Sequence, residues 1–153
     1  MKIQISDVIA SAALIISIFS ICYQNRGIHK QLLVANISEY TRRYQKIFEK
    51  FPKVIAEENF QLNKLSDDEQ DYILRYMWLY FDLCYEEYTL RHTLKIVDYR
   101  LWELWKNAMI SSFSRPAFYQ CWQIIIKHSF YPNSFYQFVD RQMKEKHVLR
   151  RKV

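Results

Sequence analysis

Glycine is nearly absent from this 153-residue chain: Gly27 stands alone, beside three prolines, Pro52, Pro116 and Pro132. Tight turns, strand hairpins and phosphate-cradling loops draw on glycine for backbone conformations that other residues resist. So little of it predicts an all-α chain. The same scarcity excludes a dinucleotide fingerprint, a P-loop and a hydrolase nucleophile elbow, each of which needs several glycines. The cysteines, Cys22, Cys84 and Cys121, form no C-x-x-C and are odd in number, which points to reduced thiols in a cytosolic core. His29, His92, His128 and His147 show no H-x-x-x-H spacing, so no zinc signature is present. No strand-period segment and no internal repeat appear. The expectation is a protein with no catalytic set, no metal and no cofactor, and not an enzyme.

What is present is apolar and aromatic. Half the residues are hydrophobic, 17% are aromatic and a quarter are charged, enough to fill a helical core and too apolar for disorder. Val8 to Tyr23 carries no charge. As a helix it covers about 24 Å of a hydrocarbon layer of about 30 Å, a short but workable span. A cleavable signal would want small residues at the end of the run, whereas Ala10-Ser11-Ala12 lies at its start. A buried helix of a globular domain would want a polar face, and here only serines offer one. Lys2 precedes the run, and Arg26, Lys30, Arg42, Arg43 and Lys46 follow it. This asymmetry sets the N-terminus outside and the rest in the cytoplasm. Residues 1–27 thus read as a membrane anchor and 28–153 as a cytosolic helical domain.

Ser6, Ala10, Ala13, Ser17, Ser20, Gln24 and Gly27 recur every three or four residues, one stripe of small or polar side chains. Such stripes let membrane helices approach closely and self-associate, although small residues are also common in membrane helices generally. Beyond it, Ile28 to Phe51 keeps a helical apolar period up to Pro52. Gly27 is either a joint between span and domain or simply the end of the span. Residues 53–65 read as a weakly helical connector. Ser66 and Glu69 form a capping box for a long helix reaching about Arg91, with Ile73, Leu74, Met77, Trp78, Phe81, Cys84, Tyr85 and Tyr88 on its apolar side. Asp98 caps the next helix, with Leu101, Trp102, Leu104, Trp105, Met109 and Phe113 inward. Pro116 opens another carrying Phe118, Cys121, Trp122, Ile125 and Ile126. After a break at Tyr131 to Ser134, a last helix carries Phe135, Phe138, Val139 and Met143 into a basic end.

Charge is unevenly spread. Residues 66–98 carry three basic and eight acidic side chains, whereas residues 99–153 carry ten basic and three acidic ones. Asp82, Glu86 and Glu87 could support acid–base chemistry but read as a solvated face. Trp102 and Trp105 could stack on bases but sit at core spacing. Three basic clusters are candidates for phosphate: Arg42, Arg43 and Lys46; Arg91, His92 and Lys95; and Arg150, Arg151 and Lys152. Anionic inner-leaflet lipid suits the first and third. A bound nucleotide suits arginine forks repeated around a symmetry axis. Duplex nucleic acid is not expected.

The Val8–Tyr23 span, the Trp102-x-x-Trp105 pair and Pro116-x-Phe118-x-x-x-Trp122 together resemble small bacterial single-pass inner-membrane proteins with a cytosolic helical domain. The plan is similar to the cyclic-oligoadenylate-gated membrane effectors of type III CRISPR antiviral defence. That resemblance implies a homo-oligomer in the bacterial inner membrane whose domain binds a cyclic oligonucleotide between subunits and then perturbs the bilayer. The alternative is an anchored helical scaffold that recruits a protein partner and binds no small molecule.

Overall fold

A computed structural model describes the backbone of residues 5–150 and the side chains among them except those of residues 5–12, 26, 29–30, 32–33 and 145–150. Helix is the only regular secondary structure among the described residues: α1 (Ile5–Phe48), α2 (Asp67–His92), α3 (Tyr99–Phe113), α4 (Pro116–Ile125) and α5 (Asn133–Arg150), plus two short 3-10 turns, Lys53–Ala56 and Leu62–Lys64. The expected all-α class holds. The chain divides into two compact units, residues 1–42 and 43–153. α1 supplies the first and the opening turns of the second.

In the first unit, α1 passes through Gly27 without a break, and a Cβ built on Gly27 meets nothing within 4 Å. Among the described residues no helix is long and apolar enough to cross a membrane. The first part of the Val8 to Tyr23 stretch lies outside the described side chains, as do Ser6 and Ala10 of the small-residue stripe. The rest of that stripe, from Ala13 to Gly27, is exposed. Its polar groups turn to their own helix: Ser17 Oγ donates to the Ala13 carbonyl at 2.8 Å and Gln24 Nε2 to Ser20 Oγ at 3.3 Å.

The second unit is built around α2. Glu69 accepts from both the amide and the hydroxyl of Ser66, at 3.0 and 2.7 Å, closing the expected capping box. Asp98 Oδ1 accepts from the Leu101 amide at 2.8 Å and starts α3. Pro116 begins α4, where its missing N–H costs nothing. The core is aromatic. Tyr80 meets Phe48, Phe81, Phe113 and Phe118 at ring-centroid distances of 5.0 to 6.3 Å. Trp122 is fully buried, lies tilted against Phe81 and donates its indole N–H to Asp140 at 2.9 Å. The connector 53–65 forms two 3-10 turns, and Gln120 of α4 holds it. The Gln120 amide donates to the Phe60 carbonyl at 2.7 Å and accepts from the Leu62 amide at 2.9 Å.

Two expectations about the core change. Leu104 points outward and is 66% exposed, because the buried stripe of α3 runs through Leu101, Trp102, Met109, Ser112 and Phe113. On α2 the buried set joins Tyr80, Leu83 and Glu87 to Ile73, Met77, Phe81 and Cys84, whereas Leu74, Trp78, Tyr85 and Tyr88 of the expected stripe are half-buried. A helix with neighbours on several sides buries more than one face.

Candidate functional site

Three features of the described residues carry chemistry. The first is a buried polar cluster where the last turns of α1 meet α2. Arg43 forms a two-pronged ion pair with Glu86, Nη1 to Oε2 at 2.6 Å and Nη2 to Oε1 at 2.8 Å. Both side chains are partly exposed, 37% and 42%. Beneath them lies Glu87, only 8% exposed and with no hydrogen-bond partner among the described residues. Burial first, and then the neighbouring Glu86 charge, push its carboxyl from 4.5 to about 8, against a smaller opposing pull from Arg43. It is therefore a neutral acid at pH 7. The phenols of Tyr44 and Tyr80 lie beside Ser112, and burial raises both. Burial also raises the Cys84 thiol well above its ordinary value and takes Cys121 to about 12. Neither thiol is a nucleophile in that state. The expectation that Glu87 belongs to a solvated acidic face is thus corrected. Its turn of α2 faces the protein interior, while Glu86 takes the ion pair. Asp82 of that set accepts from the Tyr131 hydroxyl at 2.5 Å.

The second feature is a groove of about 290 Å³, lined by Pro52, Val54, Leu65, Tyr72 and Ile73. Its wall is mainly apolar. Asp68 and Glu69, both exposed in the first turn of α2, line it too. Hydrogen bonds from Ser66 keep the Glu69 carboxyl below its ordinary value, so it stays ionised at neutral pH. Sequence periodicity offers no sign of this groove, because half of it comes from turn residues.

The third feature is the outer surface of α1. Leu14, Ile15, Ile16, Ile18, Phe19 and Ile21 are all more than half exposed, Phe19 to 70%. Ile15, Ile16 and Ile18 alone point in three directions around a helix that advances 100° per residue. With Leu14, Phe19 and Ile21 they spread over about 220° of the circumference, and Ala13, Ser17, Ser20 and Gln24 take the remaining side.

The basic residues proposed for phosphate are dispersed. Arg42 is held by Glu39 one turn back, at 2.7 Å, and Arg43 by Glu86. Lys46 is exposed. Arg91 donates to the Val97 carbonyl at 2.9 Å, stapling the turn between α2 and α3. His92 packs on Tyr88 and edge-on to Trp102, at 4.4 and 4.9 Å. Burial, then the Arg91 charge, lowers its imidazole, so it is neutral at pH 7 and supplies no cation. Lys95 is exposed, with φ of 56°, in the turn that ends α2. Trp102 is buried against Tyr88 and Phe138, a core residue and no platform for bases. Arg150, Arg151 and Lys152 lie outside the described side chains. Among the described residues no group of three or more His, Cys, Asp or Glu could hold a metal ion. Comparison with known proteins finds no matching family model, no matching curated protein and no matching solved structure.

Proposed function

We propose that the chain is a membrane-anchored helical docking protein: α1 seats in the bacterial inner membrane with its N-terminus outside, and residues 43–153 form a cytoplasmic surface for a protein partner. The observation that carries the reading is the broad apolar surface of α1, about 220° of its circumference. Keeping six large apolar side chains in water forgoes on the order of 10 kcal/mol of burial. A hydrocarbon layer recovers it over the whole of that arc at once, which a groove on one partner does not. The sequence extends the uncharged run back to Val8.

For the domain, docking has more support than sensing an anionic messenger such as cyclic oligoadenylate. Arg42, Arg43 and Arg91 already have partners within the protein. The groove is apolar and flanked by carboxylates, which repel phosphate and welcome an apolar segment with positive charge.

Flotation of the full chain with lipid vesicles tests the anchor. Wild-type protein should float with the lipid, and Ile16→Lys/Phe19→Lys should stay at the bottom of the gradient. Each lysine near a bilayer centre costs about 3 kcal/mol. A wild-type chain that stays in the aqueous fraction, or a double variant that floats equally well, overturns the anchoring.

A further inference from the structure

We infer that the Tyr72 groove is the receptor for residues 144–153 of a second copy of this chain. The inference rests on the docking reading above, and it names the partner.

Charge complementarity is the first argument. Asp67, Asp68, Glu69 and Asp71 crowd the start of α2 beside the groove, and Asp68 and Glu69 line it. Residues 144–153, KEKHVLRRKV, place the apolar pair Val148-Leu149 between Lys144 and Lys146 on one side and Arg150, Arg151 and Lys152 on the other. An apolar pair fits an apolar wall, and the flanking cations meet the acids at its edge.

Chain direction is the second argument, and it makes the contact intermolecular. Tyr131 touches Tyr85, Phe135 touches both Tyr85 and Tyr88, and Phe138 touches Tyr88 and Trp102. Trp102 in turn lies on His92. α5 therefore advances along α2 toward its His92 end, while the groove lies at the opposite end, by Tyr72. Tyr72 to Tyr88 is about 24 Å of helix, and Phe138 to Arg150 adds about 18 Å in the same sense. The three residues past Arg150 reach back about 10 Å at most. Residues 144–153 of one copy do not reach that copy's own groove and are offered to another. Each copy gives at one end and receives at the other, which builds a head-to-tail assembly.

The test uses a fluorescent peptide of residues 144–153 titrated with the full chain in detergent. Binding should be salt-sensitive and should weaken at least tenfold with Asp68→Lys or Tyr72→Ala. A peptide carrying Arg151→Glu should bind the Asp68→Lys chain better than it binds wild type. A photo-crosslinker at position 148 of the full chain should join two copies, on a fragment containing Tyr72. Equal binding by wild type and both groove variants, capture of the peptide only by vesicles of anionic lipid, or crosslinks that map elsewhere would each overturn the inference. Flotation separates it from the anchor, because Asp68→Lys and Tyr72→Ala chains should float like wild type.

Discussion

Replacing Glu87 with glutamine should give a stability advantage over wild type that opens near pH 4.5 and keeps growing as the pH rises toward about 8. The unfolded chain ionises this carboxyl near 4.5, whereas the folded chain keeps its proton up to about 8. Between those values unfolding releases a proton, so folding stability falls as pH rises, by about 1.4 kcal/mol per pH unit in mid-window and less near either end. From about pH 6 to about pH 8 the loss is about 2 kcal/mol. Glutamine keeps the shape and cannot ionise, so the variant should not suffer it. His92 works in the opposite sense below its ordinary range, since the folded state binds its proton less readily, but it is common to both proteins and cancels in the difference. Urea unfolding of the full chain in detergent reads the effect. With a typical slope of about 2 kcal/mol per molar urea, the wild-type midpoint should fall by about 1 M relative to the variant over that range. Midpoints that run parallel from about pH 6 to about pH 8 would refute the claim that Glu87 folds as a neutral acid.

Two backbone predictions follow from α1 and from the end of α2. Gly27→Ala should raise helix stability by about 0.5 to 1 kcal/mol and leave flotation unchanged, because the helix is continuous there and space is open; a drop in either would restore Gly27 as a joint. Lys95→Gly should stabilise the fold by about 1 kcal/mol by relieving the left-handed turn that lysine occupies, and a lower urea midpoint would count against that account.

The parts of this fold that sequence made legible are those with local chemistry. Ser66 with Glu69, Asp98 and Pro116 each mark a helix start by bonds or sterics within a few residues, and each start is where it was expected. The stripes of α4 and α5 were equally legible, since Phe118, Trp122, Phe135 and Val139 are all fully buried. α2 was harder. A period of 3.6 picks one face, and this helix is also covered around Tyr80, Leu83 and Glu87 by elements far away in sequence. The ion pair of Arg43 with Glu86 joins residues 43 apart in the chain, so nothing local could show that Arg43 has a partner or that Glu87 has none among the described residues. The groove was illegible for a similar reason: Pro52 and Val54 meet Tyr72 only after the connector has folded back.

That connector has no regular ladder of its own. The amide of Gln120 stands in for a neighbouring strand, giving the Phe60 carbonyl a donor and the Leu62 amide an acceptor. Leu65, which lines the groove, follows directly on the turn that Gln120 fixes. The groove's wall at Leu65 is therefore completed by α4, whose Gln120 lies 58 residues beyond Leu62. On the proposed docking, a copy whose α4 has not packed would offer no finished receptor to the basic segment of another.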